Sequence, residues 1–175
     1  TWIIPGKGAN FPRGYEMYKG GQLVAKAICN WALVDTVTGK LIASKDYDMG
    51  TYSMDEAPEL SIPRRFRIPK ELKFQEVESS KVAMSMIDIN MHMNNTVYAS
   101  KLYDNIDDAE KYFITSINLR YVHEAPLGSE FKVYRSDAVD PGEMDYRAEK
   151  LIYFYTEADG MLNLEAAAGL KKVTI

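Results

Sequence analysis

Apolar and polar residues alternate along much of the chain with a period of two, which is typical of β-strands. The clearest example runs from Tyr112 to His123, where the odd positions Phe113, Ile117, Leu119 and Tyr121 are apolar and the even positions include Ser116, Asn118 and Arg120. This alternation predicts a strand with one buried face. The strand should end near Ala125, because Pro126 cannot donate a ladder hydrogen bond and restricts the residue before it.

Further strands are predicted at residues 129–137, 143–156 and 162–173, and Val, Ile, Tyr and Phe are frequent in the first two. The turn Ala158-Asp159-Gly160 separates the last two strands, and Asp-Gly is a strong signal for chain reversal. The second half of the chain therefore indicates an antiparallel meander.

One helix is predicted before this meander. Asn94 or Asn95 can serve as its N-cap, and apolar residues then recur at helical spacing, namely Val97, Tyr98, Leu102 and Ile106. We therefore expect an α+β fold in which an antiparallel sheet wraps around a central helix, the arrangement called a hotdog.

A weak internal repeat predicts the domain organisation. When the chain is aligned with itself at one fixed offset, Pro5 matches Pro126 and Gly39 matches Gly160, and each glycine follows a predicted long strand. On this interpretation residues 1–60 are the later strands of an incomplete first hotdog, 61–75 a linker, and 76–175 a second hotdog. The alternative is that two β-hairpin regions resemble each other by chance.

The predicted linker contains a basic stretch with two prolines, Ser61 to Lys70. The simpler interpretation is a solvated connection between domains. The functional alternative is a docking patch for an acidic partner, whose association the positive charge would accelerate.

Composition narrows the function classes. The chain has 175 residues, 46% of them hydrophobic and 26% charged, with a net charge of −4, which argues against a general nucleic-acid binder. No apolar run is long enough for a membrane span. The single cysteine, Cys29, allows no intrachain disulfide, and the start Thr1 to Pro5 lacks a signal-peptide pattern, so we expect a cytoplasmic protein.

The candidate chemistry lies just before the predicted helix. Asp88, Asn90 and His92 alternate, so that in an extended chain they would point to one side. The other side would carry four apolar residues: Ile87, Ile89, Met91 and Met93. This pattern predicts a loop pinned to the core that presents polar groups to a pocket. Taken singly, a histidine is more often structural, and Asn94-Asn95 can be explained as a helix start alone.

The segment Ser85 to Tyr98 resembles the signature of acyl-acyl-carrier-protein (acyl-ACP) thioesterases, approximately D-x-N-x-H-x-N-N-x-x-Y, and all fixed positions are present. The similarity extends to Trp31–Leu41 and to Leu119–Glu124. The resemblance implies a tandem double hotdog, whose first strand and first helix would lie upstream of Thr1.

The resemblance also implies site residues. Glu124 matches the family's catalytic acidic residue, but Ala125 follows it where many plant members have cysteine, which leaves attack by water. Glu124 would be the general base, and we expect it to be partly buried. Asn90 and His92 would hold water and the thioester carbonyl, and Asp88 would orient them. The amides of the helix start would bind the oxyanion; these belong to Asn94, Asn95 and Thr96.

His123 has the opposite strand parity to Glu124, so we expect it to face away and to be structural. The sequence contains no zinc pattern or glycine-rich phosphate loop, and the expected site needs neither metal nor cofactor.

The resemblance implies a bacterial enzyme of fatty-acid biosynthesis that acts on fatty acyl-acyl carrier protein. The alternatives are an acyl-CoA thioesterase and a non-catalytic acyl-binding module. The exposed sheet edges of an incomplete hotdog would also suit a homodimer.

Overall fold

The computed structural model describes residues 1–60, 62, 67–142, 145 and 147–174. The chain divides into two compact units, Thr1–Leu60 and Ser61–Ile175. Part of the basic stretch in the predicted linker, residues 61 and 63–66, lies outside the described residues, and the docking role of the stretch stays a prediction.

The first unit is built on a long β-hairpin. Three antiparallel strands lie in the order β1 (Trp2–Ile3), β2 (Phe11–Lys19) and β3 (Gln22–Trp31), and a separate pair joins β4 (Leu33–Val34) to β5 (Leu41–Ile42). The β2–β3 turn has positive φ at both central residues, Gly20 and Gly21, which glycine adopts at little cost. That this unit is the end of a first hotdog stays a prediction.

The second unit is an antiparallel sheet with one α-helix. Its elements are β6 (Phe74–Lys81), α1 (Asn95–Asp104), β7 (Tyr112–Tyr121), β8 (Glu130–Ser136), β9 (Lys150–Ala158) and β10 (Met161–Lys172). The strands lie in the order β6-β8-β9-β10-β7, and every pairing is antiparallel. The predicted α+β class is confirmed.

The helix is held by its apolar side. Tyr98, Leu102 and Ile106 recur at helical spacing and are buried in one core with Phe131 and Phe154 of the sheet. This spacing is the one from which the sequence predicts the helix. Among the described residues, no helix is long and apolar enough to cross a membrane.

The strand bounds differ from the predictions at two places, and the first is the strand expected to end near Ala125, which ends at Tyr121. The strand predicted at 143–156 begins only at Lys150 and runs on to Ala158. Asp145 explains the late start, because its Oδ1 accepts a hydrogen bond from the Arg147 amide at 3.0 Å and its carbonyl accepts one from the Ala148 amide at 3.1 Å. Such Asx turns compete with strand pairing.

Candidate active site

The segment from Ile87 to Met93 is a tight hairpin. Ile87 and Met93 form an antiparallel bridge, and the Asp88 amide donates to the His92 carbonyl at 3.0 Å. The Met91 amide returns to the Asp88 carbonyl at 3.0 Å, and Met91 has a positive φ of 64°. The loop predicted for this segment is therefore a tight turn, and its polar residues share this turn instead of one face of an extended chain.

The Asp88 side chain closes this turn. Its Oδ1 accepts a hydrogen bond from the Asn90 amide at 2.8 Å, an arrangement typical of an Asx turn. The turn lifts its tip away from the core, so that Ile89 is 95% exposed whereas Met93 is buried. The expectation that all four apolar residues of the segment face the core is wrong for Ile89 and Met91.

The hairpin pairs with the chain that follows β7. The Met93 amide donates to the Ala125 carbonyl at 2.9 Å, and His92 bridges Pro126. This pairing brings two predicted site residues together, because His92 Nε2 lies 3.1 Å from Glu124 Oε2. The expected partial burial of Glu124 is not observed: its side chain is 71% exposed.

A surface depression of about 270 Å³ lies between these two segments. Its walls contain five of the predicted site residues: Asp88, Asn90, His92, Asn95 and Glu124. The other lining residues are Met93, Tyr98, Tyr121, Val122 and His123. His123 also borders the depression, and the direction of its side chain stays a prediction.

The strand alternation on which that expectation rested stops before His123. The Val122 and His123 amides both donate to the carbonyl of Asn163, at 2.9 and 3.2 Å. Two successive amides that share one acceptor break the period of two, as at a β-bulge.

The three predicted oxyanion donors at the start of α1 differ in whether they line the depression. Asn94 is the N-cap, and its Oδ1 accepts hydrogen bonds from the Thr96 amide at 2.9 Å and the Thr96 hydroxyl at 2.7 Å. Neither Asn94 nor Thr96 lines the depression. Asn95 does, and within the described part of the chain its amide has no hydrogen-bond acceptor.

Asn163 is a part of the site's surroundings that the sequence reasoning missed. Its side chain is fully buried; Oδ1 accepts from the Thr156 hydroxyl at 2.8 Å, and Nδ2 donates to the Tyr98 hydroxyl at 3.1 Å and to the His123 carbonyl. The available signal was a lone amide between Leu162 and Leu164 in a strand that is otherwise apolar at this point.

Tyr121 was also missed, because it was counted only as an apolar strand position. Its hydroxyl donates to the Asn95 carbonyl at 3.0 Å, and its ring packs edge-on against Tyr98 with centroids 5.5 Å apart. The end of β7 is thereby tied to the start of α1.

The described residues contain no group of three or more His, Cys, Asp or Glu side chains that could hold a metal ion. Cys29 lies in β3 of the first unit.

Comparison with known protein families identifies the second unit. The family model "Acyl-ACP thioesterase C-terminal domain" matches residues 70–158, about half of the chain. The chain belongs to the acyl-ACP thioesterase family. The matched range contains the whole hairpin, α1 and Glu124, so the recognised motif and the observed depression coincide in this family's C-terminal domain.

Solved structures of the family share the fold. An acyl-ACP thioesterase from Bacteroides thetaiotaomicron aligns over 97% of this chain with a TM-score of 0.77 and 20% identity. The 12:0-ACP thioesterase from Umbellularia californica aligns over 98% with a TM-score of 0.70 and 16% identity. These alignments confirm the predicted hotdog fold.

The chain spans 66% of the length of each of these two relatives, just under two thirds. No curated protein sequence matches the chain.

Proposed function

We propose that this protein hydrolyses fatty-acyl thioesters carried by acyl carrier protein, and so releases the free fatty acid and the carrier. The observation that carries the proposal is the approach of His92 Nε2 to Glu124 Oε2, at 3.1 Å, in a depression that Asp88 and Asn90 also line. A carboxylate beside an imidazole and an amide can position and activate a water molecule. Family membership supports the same reaction class.

The reaction begins with water. Glu124 removes one proton as the water oxygen attacks the thioester carbonyl carbon, and the carbonyl π electrons move onto oxygen. His92 Nε2 lies 3.1 Å from Oε2 of Glu124, so an imidazole with its proton on Nε2 would occupy that oxygen and leave the other carboxylate oxygen to take the proton from water. The Asn90 side chain orients the water or the carbonyl. Asp88 acts indirectly, since its bond to the Asn90 amide fixes the turn.

The tetrahedral intermediate carries its negative charge on the former carbonyl oxygen. The Asn95 amide is the best placed of the predicted donors, because it lies at the start of α1, lines the depression and has no acceptor among the described residues. Helix N-termini stabilise anions through such amides and the helix dipole. The intermediate collapses with cleavage of the C–S bond, and the thiolate takes the proton held by Glu124.

The choice of carrier protein over coenzyme A is supported by the family and by the names of the two relatives above. Hydrolysis of such a thioester ends fatty-acid elongation, so the same proposal assigns the protein to fatty-acid biosynthesis in a bacterial cytoplasm. Pairing of two copies through sheet edges is compatible with it.

Steady-state kinetics with acyl-ACP and acyl-CoA test the proposal. We expect Glu124→Gln to lower kcat by about 100- to 10,000-fold, the range for loss of a general base, and His92→Ala and Asn90→Ala by about 10- to 100-fold. Asp88→Asn, which keeps the oxygen acceptor, should retain more activity than Asp88→Ala. Glu110→Gln, an exposed carboxylate near the other end of α1, is the matched control.

Three outcomes decide between the functions. Near-wild-type turnover by Glu124→Gln, His92→Ala and Asn90→Ala together would overturn the assignment of the site. Equal turnover of both substrates by the wild-type protein would overturn the carrier-protein preference. Acyl binding without turnover would indicate a binding module.

A further inference from the structure

The buried amide of Asn163 has a geometry that the hydrolytic mechanism above does not use. Its side chain makes three hydrogen bonds: it accepts one from Thr156 and donates one each to Tyr98 and the His123 carbonyl. The His123 carbonyl can only accept a hydrogen bond, so the NH₂ group of Asn163 must face it, and Oδ1 at the other end accepts from the Thr156 hydroxyl. Both amide hydrogens of Asn163 are consequently directed towards Tyr98 and His123.

This orientation determines what the Tyr98 hydroxyl can do. A phenol has one hydrogen to donate, and the Asn163 NH₂ group cannot accept it. No acceptor for that hydrogen is found among the described residues, whereas Tyr98 lines the depression. The hydroxyl is therefore held as an acceptor on its buried side, with its hydrogen available to a molecule bound in the depression.

The Tyr98 hydroxyl stays protonated in this setting. Burial raises the pKa of Tyr98, the bond from Asn163 acts against this rise, and the negative charge of Glu124 adds to it. A phenol that is neutral, buried and close to a carboxylate suits hydrogen-bond donation to an oxygen that gains negative charge.

Asn163 also holds the backbone that leads to Glu124. Its carbonyl accepts from the Val122 and His123 amides, and its Nδ2 donates to the His123 carbonyl. Both sides of the residue preceding Glu124 are thus bonded to one asparagine, which limits how far the Glu124 backbone can move relative to α1.

We propose that Tyr98 is a further catalytic residue, which donates its hydroxyl hydrogen to the substrate oxygen in the tetrahedral intermediate. Asn163 is the positioning residue that aims this hydroxyl and fixes the backbone before Glu124. The inference rests on the proposed hydrolysis, because a hydrogen bond to a developing oxyanion accelerates only a reaction that forms one.

The competing explanation is that the buried amide only stabilises the fold, and kinetics separate the two roles. Loss of one oxyanion donor lowers kcat by about 100- to 1,000-fold. We expect Tyr98→Phe to lower kcat by about 100-fold and to change KM by less than about threefold. Asn163→Asp keeps the side-chain size but loses both donated bonds, and it should lower kcat by about 10- to 100-fold. The Tyr98→Phe/Asn163→Asp double variant should lose less than the product of the two single losses.

A pair of threonine variants distinguishes positioning from stability. Thr156→Val removes the 2.8 Å bond to Asn163, and Thr115→Val removes a bond of the same length to the buried Asp145 at a place that does not line the depression. Both should lower the melting temperature by similar amounts. Only Thr156→Val should lower kcat, by about three- to tenfold, because the Asn163 amide loses the bond that anchors its Oδ1 end and holds Tyr98 less firmly.

The possible failures are distinguishable. If the wild-type protein hydrolyses acyl-ACP and Tyr98→Phe retains kcat within twofold, the inference is wrong and the proposed function stands. If Thr156→Val and Thr115→Val change kcat equally, the positioning role of Asn163 is wrong. This test does not depend on whether Asn163→Asp folds. If the wild-type protein hydrolyses no thioester, both proposals fall.

Discussion

The two walls of the depression are held in different ways. The near wall, Ile87–Met93, closes on itself through bonds between residues only a few positions apart, such as Asp88 to His92. The far wall, Val122–Ala125, is held by Asn163, some forty residues further along the chain. One wall therefore depends on its own sequence and the other on the completed sheet.

This difference separates two tasks within the site. The near wall supplies three polar side chains on a turn whose tip is exposed, with Ile89 almost entirely in solvent. The far wall supplies Glu124 from a backbone that is pinned to a buried amide. The His92–Glu124 pair joins them, so its geometry depends on local turn chemistry and on sheet assembly together.

Removing the Asn163 side chain, which holds the far wall, should have the largest effect on stability. Asn163→Ala removes three side-chain hydrogen bonds and leaves buried partners unsatisfied, which should lower the free energy of unfolding by about 3–5 kcal/mol. Native-state hydrogen exchange should then show faster exchange at the Val122 and His123 amides, while the Asp88 and Met91 amides change much less.

Leu102→Ala is the control for a general loss of stability. Leu102 is 1% exposed in the core beneath α1, and such truncations cost about 2–5 kcal/mol. We expect this variant to accelerate exchange in both walls. Equal acceleration of both walls by Asn163→Ala would contradict the comparison.

The same contrast explains how much the sequence can predict. The spacing of Asp88, Asn90 and His92 is a local feature, and the sequence alone places these three residues in one candidate site. The N-cap at Asn94 is equally local and is also predicted. The hairpin itself escaped prediction, because the Asp88 Asx turn and the positive φ of Met91 override the alternation that favours an extended segment. Apolar alternation also predicts the strand β7, but the face that it expects to be buried is not, since Phe113, Ile117 and Tyr121 are exposed.

The far wall could not be predicted in the same way. That Asn163 would meet His123 follows from the register of β10 against β7, in which Leu164 pairs with Tyr121. Register arises from packing of the whole sheet and is not written in either segment alone. The expected partial burial of Glu124 was wrong for this reason.

Changing the residue with positive φ in the near wall should have a smaller effect on stability. Met91 has φ of 64°, a region that β-branched residues strongly disfavour, so Met91→Ile should lower the free energy of unfolding by about 1–2 kcal/mol. Met91→Gly should be close to neutral or slightly stabilising, because glycine adopts this conformation readily. Urea unfolding measures both values.

Met84→Ile is the matched control, since Met84 is 67% exposed and is not among the residues with positive φ. We expect it to change the free energy of unfolding by less than about 0.5 kcal/mol. A Met91→Gly variant less stable than Met91→Ile would show that the turn does not depend on local backbone conformation.

The smallest expected effect on stability concerns the attachment of α1 to β6. Burial alone would raise the pKa of Glu78 in β6, but hydrogen bonds from Lys101 and Asn105 of the helix region outweigh it and hold the pKa below its ordinary value. Because the folded pKa is the lower one, this contribution is complete above the unfolded value and is lost as the pH falls through the folded value. Glu78→Gln should therefore be less stable than wild type near pH 7, with a difference that shrinks towards pH 3, as measured by melting temperature. Glu110→Gln should show no such convergence, and a constant difference for Glu78→Gln across this range would mean that the ion pair does not hold α1 against β6.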